Sequence, residues 1–223
     1  MKTLKSNLKV SGAGLMFALP VDLELKPANE KGIRFHIGEN VIEAKLENVV
    51  STQHCVITAD VEHGAKHKVA LIEHFMAACA ICDIEALDVY FSSSAADVST
   101  LELVEMPIFD GSAKVWVEKF NETGFEGESA QPKKLLDIVV FQRDNSAIYI
   151  TPSEHKTSIT YAVNYNHPDL NHRWVNLDVE KNLNEIIEAR TFGFYKDLAK
   201  FQALGFAKGV TIDNTVGLKD EGY

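Results

Sequence analysis

The chain has 223 residues, of which 46% are hydrophobic and 24% charged, a balance typical of a folded globular protein. Its formal net charge of −10 argues against a protein that binds the phosphate backbone of nucleic acid, because such proteins normally need a basic face. No run reaches the roughly 18 apolar residues of a membrane span. Three cysteines are too few for a disulfide framework, so we expect a cytoplasmic protein.

The first half of the chain is predicted to contain strands, then a helix, a strand and a second helix. Alternating or short apolar runs predict strands at 20–26, 33–37, 41–50 and 55–61. From Glu73 the apolar period becomes helical, with one face formed by Phe75, Met76, Cys79, Ala80 and Cys82. Residues 86–93 return to a strand pattern, and residues 110–124 predict a helix capped by Asp110 or Ser112.

The second half begins in the same way as the first. Residues 125–134 are polar with Gly and Pro and predict a linker. Strand-like runs follow at 135–142, 146–152, 157–165 and 173–180, and 184–209 predicts helical segments interrupted near 190–194. We therefore predict an α+β protein with domains at 1–126 and 127–223, the second lacking its C-terminal helices. An uncovered sheet exposes apolar area, so we expect a homo-oligomer or a second chain that covers it.

Glu73 and His74 are the first candidates for chemistry. A carboxylate beside an imidazole at the start of a helix can serve as a general base next to a zinc ligand. The same pair can also be ordinary helix-start residues, because a Glu is favoured by the helix macrodipole and the His is then incidental. The dipeptide by itself does not decide between these interpretations.

Other motif-like residues favour structural interpretations. Cys79 and Cys82 match C-x-x-C, but they come late in the predicted helix on its apolar face, whereas redox motifs open a helix. We therefore predict buried core cysteines. His63 and His67 fall in a predicted loop tip, and we predict surface histidines, since two nitrogens do not complete a tetrahedral metal site.

Several segments occur together in a recognisable order: GAGL (12–15), LKPANEKGIRF (25–35), STQHC (51–55), IEHFMAACAICDIEALDV (72–89), EMPIFDGSA (105–113), NYNHP (164–168) and EARTFGF (188–194). In this order and spacing the chain resembles the zinc-dependent UDP-3-O-acyl-N-acetylglucosamine deacetylases (LpxC) of lipid A biosynthesis. The resemblance covers almost the whole chain. It implies two similar two-layer α/β sandwich domains with the active site between them.

The resemblance also implies roles for individual residues. The family uses zinc to hydrolyse the N-acetyl amide of a UDP-linked acylated glucosamine. Glu73 corresponds to the general base that activates a zinc-bound water, and His74 to a zinc ligand. Thr191 corresponds to the residue that helps hold the oxyanion, and Phe192 to one that lines the substrate region.

This sequence departs from the family pattern in several places. Two further zinc ligands, carried by a His-Lys-x-x-x-Asp helix, and a general-acid histidine do not occur in the 223 residues. Met16 stands where the family has a histidine, and Lys208-Gly209-Val210 stands in place of Gly-Gly-Ser. Because a catalytic zinc needs three protein ligands, we expect little or no activity from the chain alone. The alternative is a non-catalytic binding or regulatory homologue.

Overall fold

Mixed sheets and short helices make up the part of the chain that the computed structural model describes, which is residues 1–129, 135–154 and 157–220. The predicted α+β class is therefore confirmed. Residues 1–129 and 187–220 form a larger unit, and the described residues of 135–186 form a smaller one. Two similar sandwich domains, divided near residue 127, remain a prediction.

The helices and strands of the described residues have the following bounds. The described strands are β1 (Thr3–Leu4), β2 (Leu8–Ala13), β3 (Pro20–Pro27), β4 (Gly32–Ile37), β5 (Asn40–Glu43), β6 (Val49–Ser51), β7 (Ile57–Ala59), β8 (Lys68–Ala70), β9 (Ala86–Ser92), β10 (Leu103–Glu105), β11 (Phe125–Glu126), β12 (Val139–Arg143), β13 (Ser146–Ile150), β14 (Ser158–Val163), β15 (Arg173–Asp178), β16 (Phe192–Phe194) and β17 (Val216–Leu218). The described α-helices are α1 (Glu73–Ile81), α2 (Lys114–Thr123), α3 (Leu183–Glu188) and α4 (Tyr195–Ala203). Short 3₁₀ turns cover Leu46–Asn48 and Val98–Thr100.

Some predicted boundaries are wrong. The strand predicted at 41–50 is interrupted by the turn at Leu46–Asn48. Part of the predicted linker, Phe125–Glu126, is a strand that pairs antiparallel with β1, while residues 130–134 lie outside the described residues. Neither Asp110 nor Ser112 occupies the residue before α2, which is Ala113, although the Ser112 hydroxyl accepts a hydrogen bond from the Lys114 N–H.

The core of the larger unit lies between a five-stranded sheet and helices α1 and α2. The sheet has the order β2-β3-β9-β4-β5, and every neighbouring pair is antiparallel except β4 with β9. Alternation buries one face of each strand, as at Leu23 and Phe35. Phe35 contacts Phe75 of α1, whose ring meets Trp116 of α2 edge-on at a centroid distance of 5.0 Å. These aromatic contacts fix the two helices on the sheet.

A second sheet, with the order β10-β8-β7-β6, leads directly into α1. Its parallel pair, β10 with β8, places Glu105 beside Ala70. A further parallel pair joins β16 to β17, both within residues 187–220 of the larger unit. The ends of β8 and β10 and the start of β16 supply the residues considered below.

The smaller unit consists largely of two hairpins. β12 pairs with β13, and β14 pairs with β15, each antiparallel. All four strands confirm the runs predicted from the sequence. Within the described residues, no helix combines the length and the apolar character that crossing a membrane requires.

Candidate functional site

Glu73 and His74 open helix α1 immediately after strand β8. Leu71 turns the chain between the two elements with a φ of +61°, an uncommon backbone conformation for a residue with a side chain. Ile72 precedes the helix without a side-chain cap, so Glu73 is the acidic residue of the first turn. The helix macrodipole favours a carboxylate at this position.

The carboxylate of Glu73 is fixed on one side and unpartnered on the other. Its Oε1 accepts a hydrogen bond of 2.5 Å from the Val56 N–H, and the Val56 carbonyl accepts one from the Leu71 N–H at 3.2 Å. Its Oε2 is buried and has no hydrogen-bond partner among the described residues. A buried carboxylate oxygen usually has a partner, so this oxygen is suited to accept a proton from a bound molecule.

His74 is half-buried beside Glu73. Burial lowers the pKa of the imidazole, and the charges of Glu73 and Asp110 oppose this effect. The neutral imidazole is the form that binds a metal ion. The Asp110 carboxylate is itself held by the Ser112 N–H at 3.1 Å and the Ser112 hydroxyl at 2.8 Å.

The turn at Asp110–Ser112 also holds Thr191. The Thr191 N–H donates to the Gly111 carbonyl at 2.8 Å, and the Thr191 carbonyl accepts from the Val216 N–H at 2.9 Å. The turn therefore anchors Thr191, which lies 80 residues after Gly111, to the segment that carries Asp110. The local sequence around Thr191 gives no indication of this arrangement.

Phe192 follows Thr191 as the first residue of β16. The residue is 42% exposed, and its ring meets the Phe194 ring edge-on at a centroid distance of 6.0 Å. The register of β16 places Phe192 beside Val216. A substrate-lining role for Phe192 remains a prediction.

Two acidic residues received no catalytic or binding role from sequence alone. Asp110 influences His74, and Glu105 is a buried carboxylate that accepts backbone hydrogen bonds from Met16 and Phe17. The available signal was the segment EMPIFDGSA, in which both acids flank a short apolar run. A charged residue at the end of an apolar strand calls for a partner, but the sequence does not say which one.

The described residues do not fit a zinc site by themselves. Among them, no three His, Cys, Asp or Glu side chains lie together in a group that could hold a metal ion. His63 pairs with Asp60, and the three cysteines are buried free thiols, as predicted for Cys79 and Cys82. The prediction of a surface position is wrong for His67, which is buried with Nδ1 bonded to the Leu101 carbonyl.

Comparison with known proteins finds similarity along the whole chain. A family model described as UDP-3-O-acyl N-acetylglycosamine deacetylase matches residues 1–223. A UDP-3-O-acyl-N-acetylglucosamine deacetylase of Geotalea uraniireducens is 34% identical over 230 residues, covering 99% of this chain and 70% of the relative. Proteins of the same name from Leptospira biflexa and Thermodesulfovibrio yellowstonii are 29% and 31% identical. These matches cover 100% and 99% of this chain, and 72% and 73% of those relatives.

Proposed function

The chain belongs to the UDP-3-O-acyl N-acetylglycosamine deacetylase family, and we propose that its chemistry is hydrolysis of the N-acetyl amide of a UDP-linked acylated glucosamine. Water would add to the acetyl carbonyl carbon, the C–N bond would break, and acetate and a free amine would leave. The names of the relatives support the substrate class, and the carboxylate of Glu73 supports the reaction type.

In this proposal Glu73 is the general base. Its Oε2 takes a proton from the attacking water, while Oε1 stays bonded to the Val56 N–H and keeps the carboxylate in place. The protonated carboxyl can then return the proton to the departing amine nitrogen. The Thr191 hydroxyl donates a hydrogen bond to the oxygen of the tetrahedral intermediate. Hydrogen bonds to Gly111 and Val216 already fix the backbone that carries this hydroxyl.

His74 is proposed as a zinc ligand on the basis of the family resemblance. Since the described residues do not complete such a site, no step of this mechanism passes through the metal. The observation that carries the proposal is the Glu73 carboxylate, with one oxygen anchored and the other buried without a partner among the described residues.

A non-catalytic homologue is the second candidate. It is favoured by Met16 and by Lys208-Gly209-Val210, which depart from the family pattern at positions that this sequence contains. Such a protein would bind the UDP-sugar or a regulatory partner without turnover. The two candidates differ in whether the amide bond is broken.

The test is an assay of acetate release from UDP-3-O-acyl-N-acetylglucosamine by mass spectrometry, with and without added zinc. Wild-type protein is compared with Glu73→Gln, which keeps an oxygen for the Val56 N–H but removes the base. We expect turnover by wild type and a loss of about 10²–10⁴-fold in kcat in the variant. Binding of the substrate without turnover under either condition would instead identify the non-catalytic homologue.

We also propose that the hairpins of the smaller unit are covered by a second copy or by another chain. Their strands expose large apolar side chains, namely Val140, Phe141, Ile148, Tyr149, Tyr161 and Trp174. Soluble proteins rarely leave such side chains together in water. Light scattering on the purified protein tests this proposal, and a monodisperse monomer without a bound partner would count against it.

A further inference from the structure

Glu105 is a buried carboxylate outside the proposed mechanism. Glu105 is the last residue of strand β10 and pairs with Ala70 of β8 in the larger unit. Only 4% of the residue is exposed. The following Met106 N–H donates to the Ala70 carbonyl at 3.0 Å, so the backbone at Glu105 is fixed to the strand that leads into α1. A carboxylate this deeply buried needs strong compensation.

That compensation comes from two consecutive backbone N–H groups. Oε1 accepts a hydrogen bond from the Met16 N–H at 2.7 Å, and Oε2 accepts one from the Phe17 N–H at 3.0 Å. Burial raises the pKa of Glu105, and the backbone N–H groups of this loop act in the opposite direction. Within the described ranges no cation pairs with Glu105, so the peptide dipoles of this one loop hold its charge.

The loop lies in close contact with the Glu105 carboxylate. A Cβ added to Gly14 would overlap Oε2 and the side-chain carbons of Glu105. Glycine at this position therefore lets the chain come close enough for the Met16 and Phe17 N–H groups to reach the two oxygens. The contact joins segments that are 89 residues apart in the chain.

From the loop a series of hydrogen bonds continues to Thr191. The Met16 and Leu15 carbonyls accept from the Lys208 and Gly209 N–H groups at 3.1 and 3.0 Å. The Asn214 side chain then binds the Gly209 carbonyl at 2.8 Å. Two residues later, the Val216 N–H bonds the Thr191 carbonyl.

We propose that Glu105 is a positioning residue, which fixes the loop at 15–17 and, through residues 208–216, holds Thr191 in place for amide hydrolysis. This inference rests on the proposed function for its catalytic consequence. The series of hydrogen bonds between Glu105 and the Thr191 backbone does not depend on that function, and a separate measurement tests it.

The experiment uses Glu105→Gln, whose amide nitrogen faces one of the N–H donors and loses that hydrogen bond. Residue-resolved hydrogen exchange should show amides at 16–17, 208–209 and 216 exchanging about tenfold faster or more than in wild type. In the deacetylation assay kcat should fall about 10- to 100-fold, with KM changed less than about threefold. Ile84→Val is the control for a general loss of stability. Ile84 is buried beyond the C-terminal end of α1, and its N–H bonds the Cys79 carbonyl.

Unchanged exchange at Val216 in Glu105→Gln would overturn the linkage. A kcat equal to that of wild type in a folded variant would overturn the positioning role. If wild type itself shows no turnover, the proposed function fails, and the exchange at Val216 still decides whether the linkage exists.

If Glu105→Gln does not fold, Gly209→Ala tests the same linkage. In Gly209→Ala the added Cβ would overlap the Gly14 carbonyl, which pushes residues 208–209 away while Glu105 stays intact. We expect faster exchange at Val216, with the Met16 and Phe17 amides still protected. Protection at Val216 equal to that of wild type would contradict the proposal.

Discussion

Gly111 packs against the backbone carbonyl of Asn214 so closely that a Cβ on Gly111 would overlap that oxygen. The same glycine has a φ of +82° and offers its own carbonyl to the Thr191 N–H. The contact therefore joins the turn after Asp110 to the loop before β17, and the same turn binds Thr191, which we propose to bind the oxyanion. Glycine is required here both for its backbone conformation and for the space it leaves.

Gly111→Ala should lower the free energy of unfolding by about 2–4 kcal/mol. The alanine would be strained at this positive φ, and its Cβ would also clash with the Asn214 carbonyl, a backbone group that cannot move aside freely. Urea unfolding measures the loss. The control is Gly64→Ala, at a φ of +91°, where an added Cβ meets no described heavy atom within 4 Å. Equal losses of unfolding free energy in the two variants would mean that the contact with Asn214 does not contribute to stability.

Thr191→Val removes one hydroxyl and keeps the shape of the side chain. Both backbone groups of Thr191 are hydrogen-bonded, so we expect stability to change little. If the hydroxyl stabilises the oxyanion, kcat should fall about 10²–10³-fold with a small change in KM. Steady-state kinetics provide the measurement, and Thr191→Ser, which keeps the hydroxyl, should retain most of the activity. A similar loss in both variants would assign the effect to packing.

Asp88 should make stability depend on pH. Its burial raises the pKa, but hydrogen bonds from Arg34 at 2.7 and 3.3 Å and from His36 at 2.8 Å outweigh burial, so the pKa lies below its ordinary value of 3.8. For an acid with a lowered folded pKa, the stabilisation is complete above the unfolded pKa and is lost as pH falls through the folded one.

Asp88→Asn should therefore cost about 1–2 kcal/mol near neutral pH, where the Arg34 pair is lost. Thermal or urea unfolding as a function of pH should show the wild-type and variant curves converging on acidification below the unfolded pKa. A difference between the two proteins that stays constant down to acid pH would show that the Asp88 charge does not stabilise the sheet.

The core cysteines should not react with thiol reagents in the native protein. Burial raises the pKa of the Cys79 thiol well above its ordinary value of 9.0, and the nearby Cys82 acts in the same direction. Only the thiolate reacts readily, so a thiol reagent at neutral pH should label Cys79 after unfolding and not before. Cys79→Ser should destabilise by about 1–3 kcal/mol by burying a hydroxyl, with Cys79→Ala as the control. Rapid labelling of Cys79 in the folded protein would refute this.

Local patterns in the sequence determined most of the elements and the chief candidates for chemistry. The change of apolar period at Glu73 predicted α1, and alternation predicted the strands of both hairpins, because these periods depend only on neighbouring residues. The motifs around Glu73, His74 and Thr191 identified the family, which the whole-chain match confirms. The roles of these three residues remain predictions.

Only the tertiary structure decided which distant segments meet. Phe125–Glu126 looked like a linker but pairs with Thr3–Leu4, and Glu105 looked like an isolated charge but binds the loop at 15–17. His67 looked exposed but is buried. Each outcome depends on the partner that a residue finds far along the chain, and periodicity and turn chemistry carry information about near neighbours alone.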